Sequence, residues 1–148
     1  MFRRIVPDLV RDQMLTELHP TTFVSDAASI MAERNIGAVM VCQDGRLVGI
    51  FTERDVVKRV VAHGLQPTTT RLAEVMTANP DTVSPDEAPH RALEMMRSRG
   101  YRHLPVVDAG RVVGMCSIRD LYAAIAEDLE ADLKQRDEFI MGSYSLSA

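Results

Sequence analysis

The chain has little aromatic surface: it lacks tryptophan, and aromatic residues make up 5% of its 148 positions. Proteins that bind single-stranded nucleic acid stack the bases on aromatic side chains, so this composition disfavours that function. The formal net charge of −4 also removes the basic field that a general polyanion binder needs. We therefore expect no nucleic-acid partner, and any phosphate must be met by a few local cations.

Cysteines and long apolar runs are also scarce. Cys42 and Cys116 each lie inside a short apolar run, which favours buried free thiols over a disulfide and indicates a reducing compartment. Asp8 and Asp12 interrupt the N-terminal segment before an apolar core of signal length develops, and no stretch approaches the ~18 uncharged apolar residues of a membrane span. We expect a cytoplasmic protein without a membrane segment.

Motifs for catalysis are absent from the sequence. The four histidines have no metal-ligand spacing, neither cysteine lies in a C-x-x-C motif, and no serine or cysteine is arranged with a histidine as a nucleophile. Walker A and dinucleotide glycine-rich fingerprints are missing too. We expect no enzyme and no metal site, with a small nucleotide-processing enzyme left as a minor alternative.

What the chain does contain is an internal repeat at an offset of 65 residues, without gaps. Two copies of this length indicate a duplicated structural unit rather than a solenoid. We predict boundaries at 1–66 for the first copy with its N-terminal segment, 67–128 for the second copy, and 129–148 for a C-terminal extension. The aligned positions are Pro20 with Pro85, Ala27 with Ala92, Met31 with Met96, Arg34 with Arg99, Val41 with Val106, Gly45 with Gly110, Gly49 with Gly114, and Arg54-Asp55 with Arg119-Asp120.

Each copy predicts the same order of elements: a short strand, an amphipathic helix, two strands joined by a glycine-containing turn, and a second helix. The predicted fold class is mixed α/β (α+β), with a small sheet and two flanking helices in each of two pseudo-symmetric motifs. The predicted bounds are 16–18, 23–35, 38–42, 47–51 and 53–62 in the first copy, and 81–83, 88–100, 104–107, 112–116 and 118–126 in the second.

Neither copy is large enough to bury a sizeable core alone, because chains near 60 residues hide only about 60% of their unfolded surface. We therefore expect the copies to pack sheet to sheet about a pseudo-twofold axis. Clefts between such units are common places for small ligands.

One phrase carries the chemistry of the repeat. Gly49-Ile-Phe-Thr52-Glu-Arg-Asp55 returns as Gly114-Met-Cys-Ser117-Ile-Arg-Asp120, each time after an apolar strand and before a helix. We call segments 52–55 and 117–120 the first box and the second box. With both boxes present, the chain resembles the cystathionine-β-synthase (CBS) domain family, in the tandem arrangement called a Bateman module, from about Val6 to Asp128.

The resemblance implies a non-catalytic regulatory module that binds an adenine nucleotide (AMP, ADP, ATP or NAD(H)) between the copies. In this arrangement Asp55 and Asp120 would accept hydrogen bonds from ribose hydroxyls, and Thr52 and Ser117 would donate to phosphate. The same spacing is also that of a capping box, which stabilises a helix start without any ligand. A ligand-free structural dimerisation module and an S-adenosylmethionine binder therefore remain open.

The copies differ just before their first core strand, where Gly37-Ala38 in the first copy corresponds to Arg102-His103 in the second. The resemblance implies that Arg102 and His103 serve the first box and make its site rich in phosphate contacts. The second box would then face Gly37 and Ala38, whose small size lets an adenine approach the backbone. Arg119, repeated as Arg54, is a further candidate for phosphate.

The last predicted helix continues from Asp120 past the repeat to about Ile140, and segment 142–148 is predicted to fray. Its apolar stripe is too long to bury on a small domain, so we expect a homodimer. Any signal would pass to a separate protein, which the sequence does not name. The stripe consists of Leu121, Ile125, Leu129, Leu133, Phe139 and Ile140.

Overall fold

The structure is a computed structural model that describes residues 3–11 and 13–146, with side-chain surroundings up to residue 143. It confirms the mixed α/β class, and the two copies share the order helix, strand, strand, helix. The first copy contains β1 (Glu17–Leu18), α1 (Val24–Arg34), β2 (Ala38–Gln43), β3 (Arg46–Thr52) and α2 (Glu53–Asp55), which continues as a π-type helix over Val56–Val61. The segment that joins the copies contains α3 (Leu72–Val75) and β4 (Thr77–Ala78), and the second copy contains α4 (Pro89–Arg99), β5 (His103–Asp108), β6 (Arg111–Ser117) and α5 (Ile118–Leu146).

Helices α1 and α4 occupy equivalent places and bury equivalent side chains. Ala27 and Met31 of α1, and Ala92 and Met96 of α4, are the buried face in each case. Each helix ends at a residue in the left-handed conformation, Asn35 after α1 and Gly100 after α4. This is the usual way to stop a helix, and it turns the chain directly into the first core strand.

The two central hairpins are built alike. Strands β2 and β3 pair antiparallel, as do β5 and β6, and both residues of each connecting turn have positive φ. Two positive φ angles define a type I′ turn, whose twist suits a two-residue hairpin. The register places Ala38 opposite Thr52 and His103 opposite Ser117, so each box begins beside the start of its neighbouring strand.

The sheets are less symmetric than the sequence. The first copy has a four-stranded sheet in the order β1-β2-β3-β4, whereas β5 and β6 form a sheet of two strands. The strand predicted at 81–83 is wrong: only Val83 forms a bridge, to Val106, and the Asp81 side chain accepts a hydrogen bond from Tyr101 at 2.8 Å. Pro80 and Pro85 flank this segment, and proline has no backbone N–H to extend a ladder.

Each copy has its own hydrophobic core, and residues from the segment that precedes the other copy in the chain complete it. Ile5 and Val10, from the N-terminal segment, are buried in the core of the second copy. Leu72 and Val75, from the segment before the second copy, are buried in the core of the first. The predicted boundaries at 66 and 128 stay a prediction, but cutting the chain at residue 66 would separate each core from part of its packing.

Gly49 and Gly114, which align in the repeat, leave room for these core segments to pack against the other copy. A Cβ atom on Gly114 would lie 2.5 Å from Val10 Cγ1, and one on Gly49 would collide with the side chain of Met76. The Gln13 side chain completes the second copy by pairing with Met115, whose N–H it accepts at 2.9 Å and whose carbonyl it donates to at 3.0 Å. Strand β4 does the same for the first copy through backbone pairing at Gly49.

The C-terminal helix α5 is longer than predicted and runs without interruption to Leu146. Fraying of 142–148 stays a prediction, although 142–146 are helical, and 147 and 148 lie outside the described residues. At the base of α5 the Arg3 guanidinium forms ion pairs with Glu127 at 3.2 Å and with Asp128 at 2.9 Å. These contacts join the N-terminal segment to the start of the extension.

Replacing Val10 by alanine should lower the free energy of unfolding by about 2 kcal/mol, because it removes two buried methyl groups and leaves a cavity. Val10 is 2% exposed, and Met14, which is 76% exposed, supplies the matched control. Urea unfolding of Val10→Ala and Met14→Ala measures both. Equal stability of the two variants would contradict the exchange of core segments.

Candidate functional site

Both boxes are closed hydrogen-bonded rings at the start of a helix. Thr52 N–H donates to Asp55 Oδ2 at 3.0 Å, and Asp55 N–H donates to Thr52 Oγ1 at 3.2 Å. The second box repeats this geometry, with 3.1 Å from Ser117 N–H to Asp120 Oδ2 and 3.2 Å from Asp120 N–H to Ser117 Oγ. These are reciprocal capping boxes. The helix-capping role, which the sequence left open, is therefore present in both copies.

The remaining carboxylate oxygens of the two boxes have different surroundings. Asp55 Oδ1 lies 3.5 Å from Arg59 Nε, and Arg59 also donates to the Met76 carbonyl at 2.9 Å. The position equivalent to Arg59 in the second copy is Ala124. Among the described residues, Asp120 Oδ1 has no hydrogen-bond or ion-pair partner. One box is thus tied to an arginine, and the other keeps a free acceptor.

The copies meet at the point where the boxes begin. A Cβ atom on Gly37 would lie 3.1 Å from Glu53 Oε1 and 3.2 Å from His103 Nε2, so a side chain of the first box and one of the second copy both lie against this glycine. Strands β3 and β6, which lead into the boxes, contact each other. The space beside Gly37, which we call the crevice, is therefore filled by Glu53 and His103 in this structure.

His103 is the titratable group that this environment perturbs. Burial lowers its pKa below the ordinary value of 6.5, and Arg102 and Arg119 lower it further, while Glu53 and Asp120 act in the opposite direction. The burial effect is the largest, so the neutral imidazole is favoured. A neutral ring offers one donor and one acceptor to a neighbouring group.

The remaining predicted residues are Arg102, Arg119 and Ala38. Arg102 and Arg119 are exposed and lie within electrostatic range of His103. Ala38 is buried at the start of β2. Arg54, the counterpart of Arg119, instead donates to the Gly100 carbonyl at 2.7 Å, which ties the first box to the end of α4 in the other copy.

Glu53 is the residue that sequence reasoning missed. The second box has Ile118 at the equivalent position, so the two boxes differ in charge at their second residue. That difference was visible in the alignment of the copies. Its proximity to His103 was not, since it depends on how the copies pack.

Features of a redox or metal centre are lacking in the described part of the chain. No three His, Cys, Asp or Glu side chains there are grouped so that they could hold a metal ion. Burial raises the pKa of Cys42 to about 11 and that of Cys116 to about 12, so both thiols are protonated near neutral pH. Within residues 3–11 and 13–146, none of the helices has both the length and the apolar character needed to cross a membrane.

Comparison with known proteins identifies the family. The family model described as CBS domain matches this chain twice, at residues 10–62 and 72–127. The chain belongs to the CBS domain family. It is a CBS-domain pair, which is a regulatory module, and the two matched regions correspond to the two copies of the repeat.

Three CBS proteins illustrate the likeness. The mitochondrial CBS domain-containing protein CBSX3 of Arabidopsis thaliana is 32% identical over 82% of this chain, and this chain spans 61% of that protein's length. A CBS-domain protein of Burkholderia ambifaria MC40-6 superposes with a TM-score of 0.79 and 33% identity, over 83% of this chain and 94% of that one. A CBS domain protein of Pyrobaculum aerophilum, solved with AMP, has a TM-score of 0.69 and 29% identity, over 76% and 86%.

The free energy of unfolding should fall as the pH drops from about 7.5 to about 5.5, in part because of His103. The folded state holds the His103 pKa below its value of 6.5 in the unfolded chain, so the unfolded chain binds more protons in this range. In His103→Gln that part of the pH dependence should disappear, whereas the exposed substitution His63→Gln should leave it intact. Urea unfolding at the two pH values tests this; identical pH dependence of His103→Gln and the unmodified chain would contradict it.

Proposed function

We propose that this CBS pair is a non-catalytic sensor that binds an adenosine-containing nucleotide between its two copies. The observation that carries the proposal is the presence of two equivalent boxes whose starts converge with Gly37, Glu53 and His103 at the contact between the copies. AMP, ADP, ATP and NAD(H) all present the same adenosine. The AMP complex of the Pyrobaculum aerophilum relative supports a ligand of this class.

The chemistry of the crevice suits such a ligand. A ribose diol donates two hydrogen bonds, and the carboxylates of Asp55 and Asp120 are acceptors at both oxygens. Asp120 supports this role best, because its Oδ1 has no hydrogen-bond or ion-pair partner in the described chain. Arg102 and Arg119 supply planar, permanently charged donors that suit phosphate.

The two sites of the pair are unequal in this proposal. The first box, with Thr52 and Asp55, would share Arg102 and His103 of the other copy and take the ligand with more phosphate. The second box, with Ser117 and Asp120, would face Gly37 and Ala38 and take a nucleoside. The carboxylate of Glu53 beside His103 repels phosphate, so we expect the Glu53 side chain to turn away when a polyphosphate binds.

Changing Asp120 to asparagine should weaken nucleotide binding at least about tenfold with little loss of stability. Asparagine keeps one acceptor oxygen for the Ser117 N–H and loses the charged oxygen offered to the ribose, and a hydrogen bond to a charged group is worth about 1.5–3 kcal/mol. Isothermal titration with AMP, ATP and NAD measures the affinity, and thermal unfolding measures the stability.

The matched control is Asp26→Asn, which removes a carboxylate from the first turn of α1, away from the crevice. Asp55→Asn and Arg102→Ala extend the series to the first site, and Arg102→Ala should weaken ATP more than AMP. If no adenosine ligand, including S-adenosylmethionine, binds or raises the melting temperature, the boxes serve only as helix caps and the module is structural. Conversion of the ligand, detected by mass spectrometry, would identify an enzyme instead.

Signalling through the pair follows from differential affinity. A ligand that bridges the boxes favours one relative orientation of the copies by its difference in affinity between arrangements. The partner that detects this orientation is a separate protein whose identity stays open. The exposed extension of α5 is where a change of arrangement would reach a second copy of the chain.

Homodimerisation through α5 is part of the proposal. Successive residues of an α-helix are 100° apart, which brings Tyr122, Leu129, Leu133 and Ile140 onto one face. These side chains are between 50% and 60% exposed, whereas Leu121 and Ala124 are buried against the chain's own core. A continuous apolar face that points away from its own domain suits the same face of a second copy.

Replacing Leu133 by lysine should convert the dimer to a monomer at micromolar concentration. The change places a charge in the middle of the apolar face, where a second copy would have to desolvate it. Gln135→Lys adds the same charge on another face of α5 and should leave the dimer intact. Light scattering coupled to size exclusion gives the mass. A monomeric unmodified chain would overturn the dimer.

A further inference from the structure

A cavity lies between the two hairpin turns, at the end of the strands opposite the boxes. Its volume is about 730 Å³, within the range of small-ligand pockets. It is lined by residues 44–47 at the β2–β3 turn, by Val107 of β5, by residues 109–111 at the β5–β6 turn, and by the connecting segment between β4 and α4. None of the residues predicted for the nucleotide site lines it.

Two equivalent arginines line this cavity, one from each copy. Arg46 and Arg111 occupy the same position in the repeat, directly after their turns. Neither guanidinium makes a hydrogen bond or ion pair within residues 3–11 and 13–146, and Asp108, although opposite Arg111 in the hairpin, forms no ion pair with it. Both forks of donors are therefore available to a ligand.

The polar lining residues from the connecting segment suit an anion. Asn79 and Thr82, from the connecting segment, contribute an amide and a hydroxyl. Asp44 is the one acidic side chain among the described lining residues, so the two arginines leave a local excess of one positive charge in a chain whose net charge is −4. Arginine pairs recognise phosphate through parallel hydrogen bonds.

We propose that this cavity is a second ligand site, for a small molecule that carries phosphate, held between Arg46 and Arg111. It is separate from the boxes, because Gly45 and Thr52 are seven residues apart along β3, or roughly 23 Å in an extended strand. The ligand touches one turn of each copy. It therefore bridges the two copies and is bound tightly only when the turns are at the right separation.

Pyrophosphate is the probe for this site, and the backbone amides of Gly45 and Gly110 are the reporters. In a ¹H–¹⁵N spectrum of the full chain, millimolar pyrophosphate should shift both glycine signals in a saturable manner. Arg46→Gln and Arg111→Gln should each weaken this binding at least about tenfold. Arg97→Gln, which removes an exposed arginine of α4 and changes the net charge equally, should not weaken it.

A parallel titration with ribose 5-phosphate identifies the source of the phosphate. Tighter binding of ribose 5-phosphate indicates a phosphorylated metabolite, and tighter binding of pyrophosphate indicates a free anion.

The same titration also tests the hairpin site separately from the proposed nucleotide site. In Asp55→Asn/Asp120→Asn the shifts of Gly45 and Gly110 should persist even where AMP no longer binds. Shifts confined to the boxes would overturn the hairpin site and leave the nucleotide proposal standing. Shifts that grow linearly without saturation, or that survive in both arginine variants, would overturn it as well, since they would reflect general ionic strength.

Discussion

The exchange of core segments between the copies is the constraint on which the rest of the molecule depends. Val10 fills the space above Gly114, and Met76 fills the equivalent space above Gly49, so each copy lends the other the packing that closes its core. Two units joined in this way cannot separate as free domains without exposing apolar side chains to water. Strands β3 and β6 form one contact between the copies, and a ligand at that contact would select among relative orientations of the copies.

The boxes show how a motif that caps a helix can keep a carboxylate oxygen outside the cap. Capping uses one oxygen of each aspartate, Oδ2, and leaves the other oxygen with no capping partner. In the first copy that oxygen faces Arg59, which in turn holds the end of α3, so a ligand there competes with an internal contact. In the second copy no such competition exists within the described chain. The two boxes therefore differ because of the residue four positions after the aspartate, which is Arg59 in the first copy and Ala124 in the second.

Local patterns in the sequence predicted the elements closely, because helix periodicity, capping and turn chemistry are local properties. The predicted helix at 23–35 is observed at Val24–Arg34, and the predicted glycine-containing turn is observed at Asp44-Gly45. The prediction failed where distant segments meet. The packing of Ile5 and Val10 on the second copy depends on a core that begins at Val83, and the pairing of Gln13 with Met115 spans 102 residues.

The candidate site also combines features that are local in sequence with features that depend on packing between the copies. The boxes were predictable, since their spacing is local and occurs twice, whereas the approach of Glu53 to His103 joins residues of different copies and has no local signal. The cavity between the hairpin turns escaped sequence reasoning for the same reason, although Arg46 and Arg111 align in the repeat. A repeat shows which residues are equivalent, but only the packing shows which equivalents face each other.

The two ends of the contact between the copies are joined by the same two strands. Strands β3 and β6 run from the hairpin turns to the boxes, so a ligand that fixes the distance between the turns also fixes the tilt of β3 against β6 and hence the gap between Glu53 and His103. Thermodynamic linkage makes such coupling reciprocal: if occupancy of the hairpin cavity changes affinity at the boxes by some factor, a nucleotide at the boxes changes affinity at the cavity by the same factor. Because the exchanged core segments resist separation of the copies, we expect a closure at one end to reach the other end. A duplicated fold with shared cores thus has the physical requirements to compare two ligands, one at each end.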